Sequence, residues 1–246
     1  MNKPKATYLI FSSLMAAMTM VSSHAEANAA SFNSYATVKY TITSLTNNTN
    51  AGDFSNMSIF ANYEQDILSG YLAIAGGGNH AITQGGSNDF TELLPQVGAS
   101  VSKTFAINAA TGNGTLESLD FAFFSLDLFN LSADHYSVGV QLDYELSANA
   151  SGGDLAESSA QIDWFISDDS DSGFYYATSA ALADGVNGPI QLTLDLNGET
   201  ALSVNSDLAI SGNLAASPVP LPPAAWSFML GLLALVRSNR ARMANI

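Results

Sequence analysis

Three carboxylates stand close together in Ser167 to Gly173, SDDSDSG. Asp168, Asp169 and Asp171 in a glycine-ended turn offer the hard oxygen ligands that calcium prefers. An EF-hand loop needs an acidic residue at its twelfth position; counted from Asp168 that position is Ser179, so the motif fails. An irregular β-loop calcium site at Asp168, Asp169 and Asp171 stays open. Against it stands a solvated turn between strands, in which Asp and Ser bond to their own backbone. We expect the turn, and calcium is the one cofactor left open.

Two other histidine-centred chemistries find no pattern. His80 in GGGNHAI and His135 in SADHYSV each adjoin a turn signal, and neither has an H-x-x-x-H partner for zinc. There is no G-x-S-x-G elbow to raise one serine above the many others. The chain has no cysteine, which removes a thiolate nucleophile, a Cys-ligated zinc site and an iron–sulfur centre. A glycosidase needs two carboxyls at a set separation, and 22 acidic residues nominate too many pairs to single one out. No catalytic residue emerges, and the expectation is a protein that is not an enzyme. Tyr175 and Tyr176 follow the acidic loop directly and would stack on a sugar if exposed, although Phe and Tyr more commonly fill a core.

The elements that must position these residues read as strands. Tyr136 to Ala148, YSVGVQLDYELSA, puts Tyr136, Val138, Val140, Leu142, Tyr144 and Leu146 on one face and polar or small residues on the other. Val38, Tyr40 and Ile42 alternate in the same way. So do Ala160, Ile162, Trp164 and Ile166, and also Ile190, Leu192, Leu194 and Leu196. Val97, Ala99, Val101, Phe105 and Ile107 share a parity that Lys103 interrupts. The segment Phe121 to Phe129, FAFFSLDLF, is apolar enough for burial on both faces. Weaker strands fall at 58–63, 71–75, 174–178 and 201–210. Gly-, Asn- and Asp-rich clusters such as TNNTNAGD, QGGSND, TGNG and LNG separate the runs and supply turns. Many short strands punctuated in this way argue for an antiparallel sandwich or barrel. We read the body as all-β, an antiparallel β-sandwich that is jelly-roll-like. One helical turn is expected near Asp89–Leu94, where acidic residues would start it. The strand at 136–148 is expected to pair with the next, 158–167, because consecutive strands commonly do. That pairing would set Tyr136 or Tyr144 beside Trp164.

Both ends fall outside that body. Residues 1–25 carry Lys3 and Lys5, an apolar stretch from Tyr8 to Val21, and then small residues at Ser23-His24-Ala25 or Ala25-Glu26-Ala27. This is the three-part pattern of a secretory signal peptide. The body then spans 26–216 and a tail spans 217–246. The formal charge of −15 understates the body, where two lysines face 22 acidic residues. Such a surface repels phosphate backbones, so no nucleic-acid partner is expected. It attracts cations and basic partners, and it also serves plain solubility.

The tail has three parts: Val219-Pro220-Leu221-Pro222, an apolar run from Ala224 to Val236 with Trp226 near its start, and a basic end with Arg237, Arg240 and Arg242. The run is shorter than the roughly 20 residues of a comfortable span. Trp226 suits a membrane interface, and the arginines stay cytoplasmic by the positive-inside rule. A GPI signal would end in its apolar stretch. A gram-positive sortase signal would follow Leu221-Pro222 with a different context. In combination these residues resemble the tail of the PEP-CTERM family of exported bacterial proteins, in a VPLP variant that lacks a Glu between the prolines. The likeness covers about 28 of the 246 residues. It implies a substrate of an exosortase-like membrane transpeptidase and transient membrane insertion through the C-terminal helix. It also implies residence in the envelope, surface or extracellular matrix of a gram-negative bacterium, with a structural or adhesive role linked to exopolysaccharide or biofilm. The alternative is a carbohydrate-binding module, calcium-assisted or not, that acts on extracellular polysaccharide.

Overall fold

A computed structural model describes residues 29–75, 80–85, 88–112, 114–152, 156–168, 170–180 and 184–216. The signal-peptide segment and the whole tail, with Val219, Pro220, Leu221, Pro222, Trp226, Arg237, Arg240 and Arg242, lie outside the described residues, as does Asp169.

The described chain is all-β. Its strands are β1 (Ala30–Asn47), β2 (Met57–Ala75), β3 (His80–Gly85), β4 (Asp89–Leu93), β5 (Ser100–Thr111), β6 (Gly114–Asn130), β7 (Tyr136–Ser151), β8 (Glu157–Ile166), β9 (Ser172–Ala180), β10 (Asp184–Leu196) and β11 (Ala201–Ala216). They form two antiparallel sheets, ordered β10-β7-β1-β5-β3 and β4-β2-β6-β11-β8-β9. Except at the β8–β9 hairpin, each strand is followed by one in the other sheet. Hydrophobic alternation drives this arrangement, because β1, β2, β5, β6, β7, β8, β10 and β11 each bury one apolar face in a common core. Tyr40, Tyr63, Phe105, Phe124, Leu126 and Leu142 are among its largest fully buried side chains.

Three expectations are corrected. Residues Asp89–Leu93 form β4, not a helical turn, because Tyr63, Asn62 and Ala61 of β2 supply its ladder. Strand β7 does not pair with β8. It lies between β1 and β10, while β8 lies between β11 and β9. Strand β8 instead pairs along its whole length with β11, and β7 pairs with β1 and β10. Tyr136, Tyr144 and Trp164 still belong to one core, contributed from opposite sheets. Finally, β6 is not buried on both faces. Ala122, Phe124, Leu126 and Leu128 point inward and are buried, while Phe121 and Phe123 are half-buried and Phe129 is exposed.

Lys103 explains its own interruption of the β5 pattern. It has inward parity, beside Val101 and Phe105, and its ammonium pairs with Asp89 and lies 6.0 Å from the centre of the Tyr63 ring. A long aliphatic stem lets an inward-facing lysine reach a partner at the margin of a core. Close approach requires glycine at position 139. Gly139 of β7 faces the register shift between Ile42 and Ser44 of β1, and a Cβ there would run into the hydroxyls of Thr43 and Ser44.

Candidate functional site

In the acidic loop Asp168 and Asp171 bond to their own backbone neighbours. The Asp168 carboxylate accepts the Ser170 N–H at 3.0 Å, and that of Asp171 accepts the Ser172 N–H at 2.9 Å. Ser170, through its side chain and its N–H, holds the Asp168 carboxyl below its ordinary value. Among the described residues, no group of three His, Cys, Asp or Glu side chains could hold a metal ion. His135 stands by itself at a loop, its Nδ1 3.4 Å from the Asn48 amide, and the His80 side chain lies outside the described residues. Tyr175 and Tyr176, on β9, part company. Tyr175 turns back to stack on Tyr144 at 4.4 Å, while Tyr176 is 48% exposed.

Tyr176 leads to the arrangement that the sequence reading missed. It belongs to the outer face of the six-stranded sheet, and the register writes that face in rows. One row sets Glu64, Phe123, Asp207, Asp163 and Phe174 side by side on β2, β6, β11, β8 and β9. The next holds Phe121, Ala209, Gln161 and Tyr176. A third holds Tyr71, Leu119, Ser211, Ser159 and Thr178, and a fourth Glu117, Asn213 and Glu157. Neighbouring strands lie about 4.8 Å apart, so side chains within a row touch or nearly touch.

Two hollows lie along these rows. One, of about 500 Å³, is lined by Phe121, Phe123, Gln161, Asp163, Asp207 and Ala209. The small Ala209 makes its floor. The other, of about 430 Å³, runs between Tyr71, Glu117, Glu157, Tyr176 and Asn213. Phe174, 57% exposed, and Tyr176 lie on one side with ring centres 6.5 Å apart and planes within 15°. At the opposite edge Phe60 stacks on Phe90 at 5.1 Å and meets Phe129 edge-on at 5.8 Å. Open aromatic faces interleaved with carboxylates and amides can stack on the apolar side of a ring and accept hydrogen bonds from its hydroxyls.

The outer face of the five-stranded sheet differs in kind. Asn108, Asn33 and Asn149 stand in line across β5, β1 and β7, and two rows along Thr37 and Thr104 share a hydrogen bond at 2.9 Å. It is polar and acidic, with Asp143 and Glu145 of β7 and with Tyr35, whose hydroxyl donates to Glu145 at 2.7 Å, where the other face sets open aromatic rings among its acids.

Electrostatics mark the first hollow. The Asp207 carboxyl is raised above its ordinary value of 3.8, by burial against the sheet first and by Asp163 second. A raised carboxyl costs nothing below its unfolded-state value and costs most once pH exceeds its folded-state value. Asp207→Asn should therefore raise stability at neutral pH by about 0.5 kcal/mol or less, since solvent screens the group. It should change nothing in thermal melts run below pH 3.8. Equal gains at both pH values would mean that charge is not the cause.

No protein-family model matches this chain, and no curated protein matches it.

Proposed function

We propose that the chain is an exported, non-enzymatic protein of a bacterial surface or extracellular matrix, whose body adheres to extracellular polysaccharide through the outer face of the six-stranded sheet. The observation that carries it is the row pattern of Phe121, Phe123, Phe174 and Tyr176 among Asp163, Asp207 and Gln161. Glycan rings need flat apolar platforms flanked by hydrogen-bond acceptors, and this open face offers both over a broad area. The body is a jelly-roll-like β-sandwich in this proposal. The orders β10-β7-β1-β5 and β6-β11-β8-β9 support it, with the N-terminal β1 in the place that a last strand would take. The tail through Val219, Pro220, Leu221 and Pro222 is the exosortase-like transpeptidase's substrate. Trp226, Arg237, Arg240 and Arg242 hold the chain in the membrane until cleavage.

Affinity electrophoresis of the full chain through gels containing different polysaccharides tests the body. Retention should occur in at least one gel, and Phe121→Ala with Phe123→Ala should weaken it about tenfold while the far-ultraviolet spectrum stays that of the parent. Retention unchanged by those substitutions, or reducing ends released from the polysaccharide, would overturn the proposal. Repeating the gels with calcium and with a chelator tests Asp168, Asp169 and Asp171. Mass spectrometry of the mature protein tests the tail: a C-terminus at 218–223 supports cut-and-transfer, and an intact Ile246 sinks it.

A further inference from the structure

The hollow over Ala209 narrows the chemistry of that polysaccharide, provided that the six-stranded sheet is the adhesive face. Asp163 and Asp207 are direct cross-strand neighbours. Like charges placed opposite one another across a ladder destabilise a sheet. Neither lysine of the body relieves them: Lys103 pairs with Asp89 at the core margin, and Lys39 stands on β1 of the other sheet. Glu64 continues the same row beyond Phe123 and adds to the negative field at the hollow. Phe121 and Phe123 wall it on one flank and Gln161 stands on the other. A metal ion is a poor match for this pair. Calcium takes 6–8 oxygens, and no third carboxylate or imidazole joins Asp163 and Asp207 in a metal-holding group among the described residues.

We infer that this hollow takes a protonated amino sugar of a cationic polysaccharide, with its ring against Phe121 and Phe123 and its ammonium group between Asp163 and Asp207. The ammonium supplies the positive charge that the row lacks, and the aromatic faces favour a cation as well. Uronate or sulfated polymers meet repulsion from the same carboxylates. The burial and like charge that hold Asp207 above its ordinary value would be opposed by a bound ammonium. A carboxyl titration followed by NMR should move downward on binding.

Oligomers of glucosamine and of N-acetylglucosamine give the test, used on the full chain at mildly acidic pH in physiological salt. The glucosamine oligomer should bind about tenfold tighter, and Asp163→Asn with Asp207→Asn should remove that preference while leaving the acetylated oligomer's binding unchanged. Phe121→Ala should weaken both. Asp143→Asn and Glu145→Gln, on β7 of the other sheet, control for general attraction of a polycation to an acidic protein. Equal losses from them, or acetylated oligomer bound as tightly as the amine, would overturn the inference with the adhesive reading intact. Failure of both oligomers and of every polysaccharide gel to hold the protein would overturn the adhesive reading itself.

Discussion

Tyr40→Ala is expected to destabilise the body by about 3–5 kcal/mol, the range for removing a buried aromatic ring. Tyr40 is 1% exposed and packs on Phe124 with ring centres 4.9 Å apart. Its hydroxyl donates to the Phe124 carbonyl at 3.0 Å, which leaves Ser206 to donate to it at 2.7 Å. One side chain of β1 thus ties its sheet to two central strands of the other. Phe124 and Ser206 are the residues next to Phe123 and Asp207, so this tie lies directly beneath the hollow. Tyr40→Phe keeps the ring and removes the tie, and should cost about 1–3 kcal/mol through polar atoms left without partners. Denaturant unfolding of both variants separates the two contributions. If Tyr40→Phe equals the parent while Tyr40→Ala does not, packing alone carries the effect. The phenol should also resist ionisation, since burial raises it well above 10.0. Its contribution is present below that value and is lost as the pH climbs toward the raised one.

Alternation made the core legible. Val138, Val140, Leu142 and Leu146 of β7 follow a period of two and are all buried, because a strand has only two faces to assign. Partnership was not legible. A period-two pattern says which face is apolar and nothing about which strand lies beside it. The expectation that β7 pairs with β8 failed for that reason. The crossing from one sheet to the other is decided by ladders between residues as far apart as Asn33 and Asn149. The start of β4 resembles a helix N-terminus through the acids at Asp89 and Glu92, but Asp89 has a specific partner in Lys103.

The candidate site was hidden for a related reason. Its signal was present in FAFFSLDLF, where apolar residues occupy both parities, and burial on both faces is the ordinary explanation of such a run. The structure leaves the second parity open, and only the register brings Phe121 and Phe123 next to Gln161, Asp163 and Asp207. Those five residues come from three strands, so no local motif could have joined them. The acids at 168–171 form a motif because they are close in sequence. Asp163 and Asp207 are 44 positions apart and are neighbours by pairing alone.

Asn130→Ala should cost about 2–4 kcal/mol, far beyond what a polar residue at a strand end suggests. Asn130 is 2% exposed and uses its whole amide. Its Nδ2 donates to the carbonyls of Asp134 at 2.6 Å and Asn197 at 2.8 Å. Its Oδ1 accepts the N–H and the hydroxyl of Ser132, each at 3.0 Å. Asn47 does the same work one loop away, donating to the Asp53 carbonyl and the Asp134 carboxylate and accepting the N–H groups of Thr49 and Asn50. Together they bind the β1–β2, β6–β7 and β10–β11 loops at one end of the body, while β1 starts and β11 ends at the other. Replacing these amides by alanine takes the donor from the Asp134 and Asp53 carbonyls, whereas the Asn197 carbonyl keeps the Thr200 hydroxyl at 2.7 Å. Because both amides meet at Asp134, Asn47→Ala and Asn130→Ala should be non-additive by about 1 kcal/mol in a double-mutant cycle. Additive losses below about 0.5 kcal/mol each would show that water replaces these bonds without cost. Polysaccharide retention by the folded variants should be unchanged, since the knot lies at the loop end and the hollow lies on the sheet face. A variant that lost retention while keeping its stability would place the adhesive surface at the loops instead.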